Sequence, residues 1–468
     1  MSVATKASYL SSTTCPTRTV VVLGGSYGGS RAAQVLAEGL PQGWRVVLVD
    51  RNSHRNHFYN FSRYAVLPGH EHKAFIPYKN FPSCSLSDIS SCSSHVRVQA
   101  TIISINSHRI TLSPNLPGSQ QSHLDLDFDY AIYALGSHLP QPIDLWNHQK
   151  GVKSSLELPT ISMYGGTKSE GISSLRERQK SIEAAKSVLI VGGGALGIQF
   201  ASDIAAVYPQ KQVTLLHSRR RLLPKFDDAM HEETLQGLQE LNVQVILGER
   251  LDFESLQHKS AMPGSSEPRV VRTLFGREIS ADLLASFSRL TRNRLLCTGQ
   301  TPNTGLLRNM DPRTVSPDTG LAHVLRTMQL CVPPPSIEPL EFQTDDILQC
   351  QKTLYPNIFV VGDAADAFDA IKAGHTSYYQ AEVAARNILR LISRDEKVRI
   401  TDGGNLDSEL EEYAPGPPAI KVTLGMTKSV YEVDGVVDTK NDGVEDLGVA
   451  VMWAACGMRD VSEEEMFA

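Results

Sequence analysis

Two glycine-rich turns set the limits on this chain. Gly24-Gly25-Ser26-Tyr27-Gly28-Gly29 and Gly192-Gly193-Gly194-Ala195-Leu196-Gly197 each follow an apolar, β-branched run and open a helix-like segment. A strand that feeds a glycine turn and then a helix presents backbone N–H groups and a positive dipole end to a pyrophosphate. One such turn is common by chance. Two of them, followed by Val360-Val361-Gly362-Asp363, predict a protein that holds two dinucleotides face to face and moves hydride from a nicotinamide to a flavin.

The rest of the chain narrows the class. At 468 residues two or three domains are expected, and 41% hydrophobic with 21% charged residues is a globular balance. A net charge of −6 gives no basic field, so no nucleic-acid partner is expected. No run of about 18 apolar residues spans a membrane. The Ser/Thr-rich start has no apolar core of a secretory signal, and Ser2 removes the glycine that myristoylation needs. A cytoplasmic protein is expected, with mitochondrial placement or peripheral membrane contact left open. The seven cysteines, Cys15, Cys84, Cys92, Cys297, Cys331, Cys350 and Cys456, make no Cys-x2-Cys or Cys-x4-Cys pair. They read as free thiols of a reducing compartment, with no redox disulfide beside the flavin. No metal site is expected.

Strand Thr19 to Gly24, helix Ser30 to Leu40 and strand Arg45 to Asp50 form one dinucleotide half-fold. Val188 to Val191, Leu196 to Tyr208 and Gln212 to His217 repeat it. Strands are expected within Val96 to Ser113 and Asp127 to Gly136, and linkers at Ser113 to Ser122, Ser260 to Pro268 and Val332 to Pro339. A helix is expected from Ala370 to Ile392, carrying Lys372, His375, Tyr378 and Tyr379. Beyond it lies a small unit with strands at Ile420 to Leu424 and Leu447 to Trp453. The fold class is α/β. Two Rossmann-like domains are expected, an FAD domain (18–150 and 301–392) interrupted by an NAD(P)H domain (151–300), with a C-terminal α+β domain (393–468).

In the first turn Gly24 allows the tight bend, and Gly28 and Gly29 let helix and strand pack closely. Ser26 stands where the middle glycine usually is; its hydroxyl either bonds a phosphate or is merely tolerated. Asp50, at the end of the second strand, suits a ribose 2′-hydroxyl; the alternative is a strand-turn-helix with no ligand. The second turn is a complete G-x-G-x-x-G through Gly192, Gly194 and Gly197. His217-Ser218-Arg219-Arg220-Arg221 replaces the acid that NAD calls for, so nothing repels a 2′-phosphate and the arginines can pair with it. The local argument favours NADPH over NADH, against the alternative of a solvated basic loop. Asp363, with Ala364 beside it as a further cofactor-binding candidate, either accepts from a ribityl chain while the dipole of the following helix stabilises negative charge on a reduced flavin, or only caps that helix.

These segments, together with Asp129-Tyr130, Ala134-Leu135-Gly136-Ser137, Leu216-His217-Ser218, Cys297-Thr298-Gly299 and Tyr413-Ala414-Pro415-Gly416, carry a family resemblance. The chain resembles the pyridine-nucleotide-dependent flavoprotein reductases, within them the apoptosis-inducing-factor-like group, and within that the ferroptosis-suppressor branch in a fungal-type form. The likeness runs from about Val20 to Trp453. It implies FAD and NADPH or NADH as cofactors, and electron transfer to a quinone or another small acceptor. By position it implies FAD contacts from Gly24, Gly25, Ser26, Tyr27, Gly28, Arg63, Ala100, Gly136 and Asp363. The branch carries a glutamate where this chain has Gln199, which puts mechanisms that need that carboxylate in doubt. Lys372 is placed at the flavin edge, where it would steady negative charge, or else on a helix surface. Lys440 matches a C-terminal lysine of the branch. Gln199 and Lys372 are the candidate catalytic residues. Two rivals stay open, a tailoring oxidoreductase acting on one specialised metabolite and a signalling flavoprotein with negligible turnover. The assembly expected is a monomer or homodimer.

Overall fold

The computed structural model describes residues 17–114, 123–139, 143–146, 164–252, 254–256, 269–286, 300–334, 353–400 and 409–467. The linkers expected at 260–268 and most of 113–122 and 332–339, and the Cys297-Thr298-Gly299 motif, lie outside them.

The chain opens with β1 (Arg18–Leu23), α1 (Tyr27–Gly39) and β2 (Trp44–Asp50). After the short helix α2 (Phe61–Tyr64) come β3 (Val96–Ile105), β4 (Arg109–Pro114), β5 (Leu124–Asp127) and β6 (Tyr130–Tyr133). β1 and β2 are buried almost throughout, which is why they read as continuous apolar runs rather than alternating ones. β1 pairs in parallel with β2 and with β6, β2 pairs in parallel with β3, and β4 and β5 then fold back antiparallel.

A second unit follows: α3 (Lys168–Ala184), β7 (Ser187–Val191), α4 (Ala195–Val207), β8 (Gln212–His217), α5 (Asp228–Glu240), β9 (Gln244–Leu247), a hairpin of β10 (Arg269–Thr273) and β11 (Glu278–Ala281), then β12 (Leu283–Ser286). Its parallel sheet runs β9-β8-β7-β12. The chain then returns to the first sheet through β13 (Ile358–Val360), which completes the order β13-β6-β1-β2-β3-β4-β5. The second Rossmann unit is therefore inserted into the first.

α6 (Gly374–Ile400) packs its small and aliphatic residues on the first core. Ala370 lies outside this helix, contrary to expectation. Residues 367–370 form a turn in which Phe368 and Asp369 both have positive φ (56° and 60°), and that conformation cannot continue a helix. Lys372 is consequently a loop residue. The helix also runs past Ile392, where a boundary was expected.

The C-terminal unit is a three-stranded meander, β14 (Ile420–Leu424), β15 (Lys428–Val433) and β16 (Val436–Lys440), with a short helix α7 (Ala450–Ala455). The strand expected at Leu447 to Trp453 is mostly that helix. Its valines read as β-branched strand residues, but Val449 and Trp453, four apart, are the buried pair while Val451 is 76% exposed. Helical spacing wins there because only one face has a core to meet. Val422, Leu424 and Val430 join the core of the inserted domain, so this unit packs across it.

Candidate functional site

The two glycine turns are constructed alike. The N–H of Gly24 donates to the carbonyl of Val49 at 2.8 Å, and that of Gly192 to Leu216 at 2.9 Å. Both glycines have positive φ (97° and 127°). A Cβ on Gly29 would meet the carbonyl oxygen of Gly24 at 1.7 Å, and one on Gly197 would meet that of Gly192 at 1.9 Å. Only glycine permits helix and strand to approach so closely.

At the first turn the N–H of Gly25 donates to Oδ2 of Asp50 at 2.5 Å, and Asn52 N–H donates to Oδ1 at 2.7 Å. Tyr78 adds its hydroxyl to Oδ2 at 3.2 Å. A carboxylate has about four acceptor positions, so Asp50 retains capacity for a ribose hydroxyl. The Ser26 hydroxyl is buried at the N-terminus of α1 with no partner, a donor suited to a phosphate oxygen. Tyr27 bonds Nδ1 of His57 at 2.8 Å, and burial pushes the His57 imidazole down to about 4. Gly28 lies against Ser377 of α6, so it serves helix packing.

At the second turn the N–H of Gly193 donates to Nδ1 of His217 at 3.1 Å. His217 stands where Asp50 stands in the first turn. Burial first, and Arg219 second, hold its imidazole down at about 4, so it is neutral at pH 7 with Nε2 left unpartnered. Arg219 and Arg220 are exposed with no ion pair among the described residues, whereas Arg221 pairs with Asp228 and Phe226. Ser218 begins this segment. Gly194 precedes α4 and a Cβ there would meet nothing within 4 Å, which leaves the groove in front of the helix clear.

Between the turns, the Ser137 hydroxyl donates to Asp363 at 2.9 Å, and Lys372 donates to the carbonyl of Ala365. Burial pushes the Asp363 carboxyl up and the Lys372 ammonium down, and each opposes the shift of the other. Asp363 is half-buried and Lys372 is exposed. Gly136, with φ 59°, turns the chain beside them, and Ala364 is fully buried. The orphaned Ser26 donor, the open acceptor position on Asp50 and the half-buried carboxylate of Asp363 fit an extended dinucleotide.

Other expected residues are directed elsewhere. Arg63 is fully buried; it pairs with Asp203 of α4 at 2.9 Å and donates to the carbonyls of Gly425 at 2.7 Å and Glu445 at 3.3 Å. Burial pushes Asp203 up to about 6 against the pull of Arg63. Ala100 is buried in β3 and offers only backbone. Lys440 is exposed on β16, with its ammonium 4.7 Å from the Tyr431 ring. The Gln199 amide donates to Thr423 at 3.3 Å and bonds the Tyr59 hydroxyl, which ties α4 to the first domain and to β14. Sequence reasoning missed Tyr78, Tyr59, Asp203 and Thr423. The only signal for Asp203 was its place on α4 four residues after Gln199, one turn along the same face.

The profile of the pyridine nucleotide-disulphide oxidoreductases matches residues 18–316. The chain belongs to that family. It is 40% identical to Fe-regulated protein 8 of Mycosarcoma maydis over 94% of this chain and 95% of that protein. It is 26% identical to ferroptosis suppressor protein 1 of Taeniopygia guttata over 89% and 88%. Apoptosis-inducing-factor homologs also match, which places it in that branch of FAD oxidoreductases. Reduced Bacillus anthracis CoADR-RHD shares the fold, with a TM-score of 0.58 at 15% identity over 89% of this chain and 61% of that one. The protein is an FAD-dependent pyridine nucleotide oxidoreductase, and FAD and NAD(P)H are its cofactors.

Proposed function

We propose that this protein takes hydride from NADPH in preference to NADH and delivers electrons to a quinone-type small acceptor. The observation that carries the reading is the doubled turn, with a carboxylate acceptor at the end of β2 and a neutral imidazole at the end of β8. When bound, the flavin supplies the two-electron chemistry, and the protein supplies geometry and electrostatics.

Ser26 and the N-terminus of α1 hold the first pyrophosphate, and Asp50 holds its ribose. Gly192, Gly194 and Gly197 seat the second at α4. His217 leaves a 2′-phosphate unopposed, and Arg219 and Arg220 meet it. Asp363, fixed by Ser137, anchors the polar chain between the two ends of the first cofactor. Lys372, in the loop after Asp363 with its ammonium on the Ala365 carbonyl, is a cation acting on that carboxylate and would steady negative charge there. Gln199 acts as a strut between Tyr59 and Thr423 rather than a proton acceptor, since an amide is too weakly basic to take up a proton at neutral pH.

Anaerobic stopped-flow of the purified yellow protein tests this. Rapid bleaching, faster with NADPH, followed by reoxidation with quinones, is the expected result. Bleaching with neither nucleotide overturns the reductase reading and leaves a binding flavoprotein. Bleaching without reoxidation by any quinone redirects the search to a specialised metabolite.

A further inference from the structure

A recess of about 340 Å³ lies away from both glycine turns, between α3 and the turn that follows α2. Glu71 and Gln179 form its floor and are only 2% and 6% exposed. One carboxylate oxygen of Glu71 accepts from the N–H of Gly69 at 3.1 Å and from the Gln179 amide at 2.8 Å. Gln179 is itself fixed, since the same amide donates to the carbonyl of Tyr64 at 2.7 Å.

The other oxygen of Glu71 is buried and takes no hydrogen bond among the described residues. The cation paired with it is Arg176, whose Nε stands 3.7 Å away, beyond hydrogen-bond reach, on a side chain 56% exposed. A buried carboxylate is costly unless it is both charge-paired and hydrogen-bonded, so this one lacks an N–H donor. Arg176 is loosely held there, and its exposed side chain is free to swing outward and leave the oxygen to a closer cation. Lys180, one turn along α3 on the same face, is exposed and has no ion pair among the described residues. Against these two cations the rim carries one acid, Glu183, while Pro68 and Tyr208 add apolar wall.

We propose that this recess binds a zwitterion, an α-amino acid with an apolar side chain. Its ammonium group takes the place of Arg176 and donates to the open oxygen of Glu71, so the buried charge gains the hydrogen bond it lacks. The displaced Arg176 and Lys180, on one face of α3, then meet the ligand carboxylate, and the ligand side chain lies along Pro68 and Tyr208. A cation without the carboxylate faces Lys180 and Arg176 uncompensated, and an anion without the ammonium faces Glu71. Only the zwitterion satisfies both ends. Binding here is independent of the hydride route, because no lining residue belongs to either glycine turn.

The test is isothermal titration calorimetry of the full-length, FAD-bound protein with L-leucine and with its two half-molecules, 3-methylbutylamine and 4-methylpentanoate. Saturable binding of leucine is expected, with each half-molecule weaker by roughly tenfold or more, the loss that goes with one charged hydrogen bond. Glu71→Gln keeps the side-chain shape and should abolish leucine binding, while the exposed change Lys180→Ala should weaken it roughly threefold. Retained flavin absorbance and melting temperature report that the variants fold, and if Glu71→Gln does not fold, Lys180→Ala and the half-molecules decide. Absence of leucine binding overturns the proposal and leaves Glu71 and Arg176 as a structural ion pair. Equal binding of leucine and 3-methylbutylamine overturns it too, since the recess then selects a cation alone. So does a folded Glu71→Gln protein, or a Lys180→Ala protein, that binds leucine as the wild type does.

Discussion

In the first turn the N–H of Gly25 is held by the carboxylate of Asp50; in the second the N–H of Gly193 is held by the imidazole of His217. The backbone of the two turns matches, from the glycine-to-strand bond to the helix–strand approach at Gly29 and Gly197. A carboxylate bonds ribose hydroxyls and repels a phosphate; a neutral imidazole bonds the same backbone donor without repelling either. One scaffold thus appears twice in the chain with a different acceptor at the end of its second strand, and the proposed preference between nucleotides begins at that difference.

The largest effect is expected from breaking the joint between the two sites. Arg63→Ala leaves Asp203 buried and unpaired, at about 3–5 kcal/mol. Thermal unfolding should fall steeply, and the double change with Asp203→Leu should recover much of it. Next, Gly197→Ala, with its Cβ 1.9 Å from the carbonyl of Gly192, should retain flavin absorbance while losing bleaching by either nucleotide. A yellow variant that still bleaches at the normal rate would remove the second turn from the reaction.

His217→Asp converts the second acceptor into the first. NADPH should lose roughly tenfold in kcat/KM relative to NADH, about 1.4 kcal/mol, and an unchanged ratio would place the discrimination elsewhere. Acid provides a gentler probe. His57 and His217 are held down at about 4 in the folded protein, against about 6.5 in an unfolded chain. Between those values the unfolded state binds the extra protons, so stability falls as pH drops from about 6.5 to about 4. Replacing His217 with Gln should flatten that slope in thermal melts. The smallest effect is expected from Gly194→Ala, whose Cβ meets nothing within 4 Å. The melting temperature should stay put while KM for NADPH rises several-fold, because the added methyl group faces the pyrophosphate groove.

The strand-turn-helix units were legible because their signals are local. An apolar run, a glycine turn and an acid at a strand end lie within about 30 residues of one another. Asp50, Asp363 and the glycines were found that way. Gln199 was singled out for the carboxylate it lacks, and its strut role appears only when Tyr59 and Thr423, distant in sequence, close on it. Lys372 was assigned to a helix because the sequence after Asp363 has helical spacing. The positive φ at Phe368 and Asp369 is a tertiary constraint that spacing does not encode.

By itself the sequence determined the α/β class, both nucleotide turns and the family, since each rests on residues that act through their nearest neighbours along the chain. The tertiary structure alone decided which polar groups meet: Arg63 with Asp203, and His217 with the backbone of Gly193. Burial and charge pairing depend on what the fold brings within a few ångströms, and that distance bears no fixed relation to separation along the chain.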